Sequence, residues 1–398
     1  MSDLEIRDIP LADVDQMMDL ADLVFHHRTP AEDRERELWA ARRAERLAAY
    51  VDDVSAGQAA VLPMRLAVPG AFLDCSAITF VGVLPTHRRR GVLTAMMERM
   101  LMDAAAANRP VAALWASQSA IYGRYGFGLA DRAISLEIDT SRPLALRTEP
   151  DPRPLRLIDR DSAPEILGPI HTRALARRPG GLVRDAEWWD KNMLPAVDDD
   201  DEDFTEPRVA VLDGEPGGYV IYRTHGEGTG HVRIDDLVAD TPQVEAALWR
   251  YLASIDLTTK IKAPSRPVDD LIPHMVADFD RVEVTGSHGA LWVRLVDAPA
   301  ALRARSWATG DSLVIELLDE RLPANQGRWR LAAGTCDRTE DAPDLTLSAS
   351  DLGAAYLGGT SVSTLARIGV VTEHTPDAAA RLDRAFAVPL APYTNDDF

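Results

Sequence analysis

The chain has 398 residues, 46% of them hydrophobic and 27% charged, enough for two or three globular domains with separate cores. Its 63 acidic residues outnumber 43 lysines and arginines and leave a net charge of −20. That balance excludes a nucleic-acid partner, which needs a basic face, and favours cationic small molecules or lysine side chains. No apolar run reaches the roughly 20 residues of a membrane span, and Met1 to Pro10 lacks the apolar core of a signal peptide. Cys75 and Cys336 provide neither a disulfide framework nor metal-ligand spacing. A cytoplasmic protein without a metal is expected, its cysteines acting as small buried hydrophobes.

Leu4 to Ile9 alternates apolar and polar residues as a strand does. Ala12 to Phe25 has helical spacing, and Ala31 to Tyr50, charged and alanine-rich, also reads as helix. Strands are expected over Gln58 to Val68 and around Phe72, separated by the Pro69-Gly70 turn. Ala77 to Val83 is a β-branched and aromatic strand that ends at Pro85. His87, Arg88, Arg89, Arg90 and Gly91 follow, and then Leu93, Met96, Met97, Met100, Leu101 and Ala104 repeat along one face of a helix reaching Asn108. A helix start carries unpaired N–H groups and partial positive charge, so a phosphate can dock there, aided by three arginines and an unobstructed glycine.

Val111 to Ala116 and Arg132 to Ile138 read as further strands of the same unit. Thr140 to Arg156, with Pro143, Pro150, Pro152 and Pro154, is a linker candidate. Beyond it the pattern begins again, with strands at Leu155 to Ile158, Val209 to Leu212, Gly218 to Arg223 and His231 to Val238, and helices at Ser162 to Ala176 and Val244 to Ser254. This second copy lacks the basic turn. Asp240, Thr241, Pro242 and Gln243 stand in its place and would repel a phosphate. Trp188 and Trp189 are expected as core anchors, and the acidic run Asp198 to Asp203 as a solvated loop. Val282 to Thr285 and Ala290 to Val296 close the second copy.

A third pattern, unlike the first two, has strands at Ser312 to Leu318, Arg328 to Ala333 and Leu345 to Ser348. Helices follow around Asp351 to Leu357, Ser361 to Arg367 and Pro376 to Phe386. Its size suits a separate α+β domain.

The run from Val81 to Gly91 resembles the acetyl-CoA-binding motif of GCN5-related N-acetyltransferases. Leu93 stands where that motif usually carries glycine or alanine, a departure shared with the Eis (enhanced intracellular survival) family. Ala116, Ser117, Ile121 to Gly128 and the acidic tail Asp396-Asp397-Phe398 extend the similarity. The resemblance implies α/β architecture with mixed sheets: an acetyl-CoA-binding domain over residues 1–140, a degenerate acetyltransferase-like domain over 141–297, and a sterol-carrier-protein-like domain over 298–398.

It further implies acetyl-CoA held by Val81, Val83, Arg88, Arg89, Gly91, Val92, Leu93 and Ser117, with Tyr122 as general acid and the terminal carboxylate of Phe398 as general base. The implied assembly is a homohexamer, and the implied acceptors are amines of aminoglycosides, polyamines or lysine side chains, acetylated by direct attack. His26 and His27 occupy the stretch where an acidic pocket residue would be sought.

The residues suit those roles. An attacking amine must lose a proton, and a carboxylate can take it. A backbone N–H near Val83 can stabilise the acyl oxygen, and a phenol can protonate the departing thiolate. Tyr125 is the rival acid. From another class, a non-catalytic acyl-CoA or lipid-binding protein fits the third domain alone and needs neither the arginine turn nor Tyr122.

Overall fold

The structure, a computed structural model, describes residues 4–29, 34–197, 203–226 and 230–398; the acidic run from residue 198 to 202 lies outside these. Two compact units emerge. The first comprises Met1–Ala130, Leu291–Val388 and Phe398, and the second Asp131–Ala290 and Pro389–Asp397.

The first unit contains a seven-stranded sheet and a five-stranded one. Strands β1 (Leu4–Asp8), β2 (Glu45–Val51), β3 (Val54–Val68) and β4 (Ala71–Val83) pair antiparallel in sequence. β5 (Val111–Trp115) then joins β4 in parallel. Glu45–Val51 lies within the alanine-rich stretch that reads as helix to Tyr50. Only α2 (Arg34–Arg43) is helical there, because β2 finds hydrogen-bonding partners on both edges, and tertiary pairing outweighs local propensity. Helices α1 (Val14–Phe25) and α3 (Val92–Ala106) flank the sheet sequence. Val92, Met96, Met97, Met100, Leu101 and Ala104 of α3 are buried against Leu47, Ala49, Val61, Ile78 and Leu114. Burying each of the larger side chains contributes roughly 1.5–3 kcal/mol, so the start of α3 is firmly seated.

The last strands of the two copies are exchanged. β6 (Gly128–Leu129) is short, and β7 (Arg132–Asp139), which sequence order places in the first copy, lies in the sheet of the second unit. That sheet has the order β13-β7-β12-β11-β10-β9-β8. Its other members are β8 (Arg156–Ile158), β9 (Arg208–Leu212), β10 (Gly218–His225), β11 (Gly230–Ala239), β12 (Thr258–Pro267) and β13 (Val282–Gly289). In return β14 (Leu291–Leu295) enters the first sheet between β5 and β6.

Helices α4 (Ala163–Leu175), α5 (Ala186–Trp188), α6 (Pro242–Leu252) and α7 (Ile272–Met275) belong to the second unit. Trp188 and Trp189 are buried, and Trp189 meets His171 and Tyr219 edge-on.

The third-domain sheet runs β17-β16-β15-β18-β19. Its strands are β15 (Leu313–Leu318), β16 (Gly327–Ala332), β17 (Thr335–Arg338), β18 (Leu345–Ser348) and β19 (Thr372–Glu373). Its helices are α8 (Ala298–Ala304), α9 (Ala349–Tyr356), α10 (Val362–Arg367) and α11 (Ala378–Phe386). Ser348 and Asp351 cap α9 reciprocally. This sheet shares a unit with the first through a buried ion pair. Arg294 of β14 places Nη2 2.7 Å from both oxygens of Asp319, and Asn325 donates to the same carboxylate at 3.0 Å.

Removing one member of such a pair strands the other without water. Asp319→Ala is therefore predicted to lower stability by about 3–5 kcal/mol, seen as a large drop in the midpoint of the first thermal unfolding transition.

Candidate active site

The site begins where two parallel strands part. β4 pairs with β5 only from Cys75↔Val111 to Ile78↔Leu114, yet β4 runs five residues further, to Val83. On its other edge the β3–β4 register shifts between Gln58 and Ala60, and Phe80 in the same region has φ of 52°. This bulge re-aims the end of β4. Gln58, buried, donates from Nε2 to the Met17 carbonyl at 2.7 Å and ties α1 to the bulge. Gly82 lies under α1, where a Cβ would come within 3.3 Å of Leu20 and Val24.

Past the bulge, Leu84 donates its amide to the Ala56 carbonyl at 2.9 Å. Backbone groups alternate in direction along a strand, so those of Val81 and Val83 face the edge that β5 has left. The free donors there are the groups that an acyl oxygen or a pantetheine amide requires.

The turn follows at once. Pro85–His87 forms one 3-10 turn, Arg88 is extended, and Arg89 and Gly91 adopt φ of 62° and 84° before α3 starts at Val92. Gly91 caps the helix without a side-chain bond. Among the described residues, the amides from Arg88 to Thr94 make no backbone–backbone hydrogen bond. The amides of the first turn of α3 are thus left without intrahelical partners at the positive end of a helix dipole, the arrangement that binds phosphate.

A Cβ on Gly91 would meet no protein atom within 4 Å. Backbone conformation, rather than crowding within the chain, is what calls for glycine there. Arg88, Arg89 and Arg90 are exposed, and no carboxylate pairs with them among the described residues. Arg88 Nε reaches the Val83 carbonyl at 3.5 Å. Three unneutralised cations in a chain of charge −20 mark a local site for an anion. Val92 is buried and Leu93 half-buried, while Ser117 is exposed just beyond β5. His26 and His27 are exposed at the end of α1, with His26 in the left-handed region.

Tyr122 opens a 3-10 turn, Tyr122–Tyr125, that Gly126 closes with φ of 84°. Its side chain is 5% exposed and meets Phe127 edge-on. Among the described residues the hydroxyl has no hydrogen-bond partner. Burial, and secondarily Tyr125, raises its pKa above the ordinary phenol value, so it is protonated at neutral pH. Tyr125 differs, because its hydroxyl is engaged with Thr94 Oγ1 at 3.1 Å. The free proton donor of the pair is Tyr122.

The turn is supported from beneath. A Cβ on Gly126 would fall 2.8 Å from the Arg294 guanidinium, and one on Gly128 only 2.0 Å from the Ser350 carbonyl of α9. Thr94, Arg294 and Asp319 were not singled out by sequence reasoning. The signal available was an arginine inside the otherwise apolar run Leu291-Trp292-Val293-Arg294-Leu295.

The C-terminal residues divide. Phe398 is half-buried and belongs to the first unit, whereas Pro389–Asp397 belongs to the second. Asp396 anchors that segment from a fully enclosed position. It accepts from Leu182 N at 2.8 Å, Arg184 Nε at 2.7 Å and Trp188 Nε1 at 3.2 Å. Burial alone would raise its pKa, but the charges of Arg184 and His171 and the Leu182 amide hold it below the ordinary carboxylate value. Asn192 donates to the Asp397 carbonyl at 3.1 Å.

No group of three or more metal-ligating side chains occurs among the described residues, nor does any helix long and apolar enough to cross a membrane.

Comparison with known proteins adds to this geometry. Models of the acetyltransferase (GNAT) domain match residues 5–130 and 180–295, and a sterol carrier protein domain matches 298–395. An uncharacterized N-acetyltransferase of Streptomyces avermitilis is 39% identical over 92% of this chain and 92% of its own. N-acetyltransferase Eis of Mycobacterium bovis is 33% identical over 86% of this chain and 85% of its own. The crystal structure of Eis1 from Mycobacterium abscessus superposes with a TM-score of 0.88 at 32% identity, covering 99% of this chain and 100% of that one.

Gly91→Ala is predicted to cost about 1–2 kcal/mol through the left-handed backbone alone, measured by denaturant midpoint. Gly91→Asn, whose side chain tolerates that region, should cost less.

Proposed function

The chain belongs to the Eis family of GCN5-related N-acetyltransferases, and from that premise we propose that it transfers acetyl from acetyl-CoA to a primary amine by direct attack in a ternary complex. The observation that carries this reading is the pairing of a bare helix start with a protonated, unpartnered Tyr122 in the same unit. Aminoglycoside-like compounds, polyamines and lysine side chains are the proposed acceptors, drawn by the net charge of −20. Assembly as a homohexamer belongs to the same proposal.

Acetyl-CoA supplies the thioester to be cleaved. The arginines Arg88 and Arg89 and the amides around Gly91, Val92 and Leu93 bind its pyrophosphate, while Val81 and Val83 hold the pantetheine arm through backbone groups, with Ser117 beside it. The Val83 N–H favours negative charge developing on the acyl oxygen. The Phe398 carboxylate takes the proton of the attacking amine, and Tyr122 gives its proton to the sulfur as the carbon–sulfur bond breaks. Phe398 falls in the same unit as Tyr122, which supports a shared site.

Tyr122→Phe is predicted to lower kcat by roughly 10²–10⁴ with the Kd for acetyl-CoA unchanged. Extending the chain by two residues beyond Phe398 should lower kcat comparably while leaving the fold intact, because only the carboxylate moves. Steady-state kinetics with equilibrium binding of acetyl-CoA checks both. Normal turnover in either variant removes the corresponding role.

A further inference from the structure

The second unit repeats the parting of parallel strands. β11 and β12 pair from Gly230↔Thr258 to Arg233↔Lys262 and then separate, and α6 begins directly after β11. Its helix start is occupied by its own side chains. Thr241 Oγ1 accepts from Val244 N at 3.3 Å, Pro242 offers no N–H, and Asp240 accepts from Gly217 N at 2.8 Å while paired with Arg173 and Arg177. Among the described residues a pyrophosphate would meet a carboxylate and no unpaired cation at this helix start, so the cofactor proposed for the first unit does not fit here.

The cleft persists as a cavity of about 330 Å³, a size that accommodates a small ligand. The chain's own C-terminal segment walls it. Tyr393 bonds protein on two sides, donating from N to the Pro179 carbonyl at 2.9 Å and from its hydroxyl to the Ser265 carbonyl at 2.8 Å. Leu237, Leu271 and Leu390 give the cavity an apolar lining.

Its charges are almost all spent on one another. Arg177 pairs with Asp240, Arg178 with Asp269, Arg184 with Asp236 and Asp396, and Arg266 with Asp270. Glu245, on the first turn of α6, is the lining acid with no arginine partner among the described residues. Its one bond is a long 3.3 Å contact from Trp249 Nε1.

We propose that this cavity binds a compact organic cation, an ammonium group on a small apolar body, with the Glu245 carboxylate as its counter-ion. Burial and Asp270 push the Glu245 carboxyl up to about 7, against Arg266, Trp249 and Arg178, which lower it. The ligand's charge requires the ionised form, so binding strengthens as pH rises through that value. Nothing in this site depends on the transfer reaction, and the two readings fail separately.

The test is calorimetric titration of the full chain, without acetyl-CoA, using N,N-dimethylphenethylamine, a tertiary amine that cannot yield a stable amide. Phenylacetate serves as the anionic counterpart. Saturable binding of the amine is expected, about tenfold tighter at pH 8 than at pH 6 from the ionisation of Glu245, with none for phenylacetate. Glu245→Gln, which preserves shape, should weaken it at least tenfold, and Ala174→Phe, which puts a bulky ring in place of a lining methyl group, should abolish it. Tyr122→Phe should bind the probe as the native chain does. Absence of saturable binding, equal binding of phenylacetate, or unchanged affinity in either cavity variant overturns the proposal.

Discussion

The whole site depends on β4 outrunning β5. Four residue pairs hold the two parallel strands together, up to Ile78↔Leu114, and beyond them β4 has an edge without a neighbour. Unpaired backbone groups inside a protein are costly, so the open edge is maintained by what lies around it: the bulge at Phe80, the bond from Gln58 to α1, and the packed face of α3. The same parting recurs between β11 and β12. There the helix start is closed by Thr241 and Asp240.

Each unit also contains a buried ion pair that does positioning work. Arg294 and Asp319 lie beneath the turn that carries Tyr122, and the steric demand on Gly126 shows how closely the guanidinium approaches it. Arg184 binds Asp236 and Asp396 at 2.7 Å each and fixes the segment that ends at Phe398. Such pairs contribute little net stability compared with apolar replacements. Their value here is geometric, since they hold a turn in the first unit and the Pro389–Asp397 segment in the second.

Local pattern was enough to place the turn. The strand Ala77–Val83, the arginines, Gly91 and the methionine stripe of α3 occur in one continuous stretch, and each uses short-range rules of spacing and capping. Glu45–Val51 was not legible, because alanine and arginine favour helix locally and only its two strand neighbours make it β2. The exchange of β7 and β14 left no sequence signal either: each reads as an ordinary strand, and which sheet accepts it is decided by pairing far along the chain. β12, with Lys260, Lys262 and Arg266 interrupting its apolar residues, carries too weak an alternation to read as a strand. Among the candidate residues, the contact of the Tyr125 hydroxyl with Thr94, which distinguishes it from Tyr122, is a long-range one that sequence spacing does not provide.

The cysteines bear on the central claim. Cys75 and Cys336 are both buried, and burial pushes each thiol up to about 12, so neither provides a thiolate to carry an acetyl group at neutral pH. This is consistent with the proposed direct attack of the amine on the thioester, which needs no cysteine carrier. The most direct measurement is thiol release from acetyl-CoA as acetyl-CoA and a polyamine, aminoglycoside or lysine peptide are varied together. Amine-dependent release with intersecting initial-velocity lines is the predicted result; parallel lines, or no dependence on any amine, would contradict it.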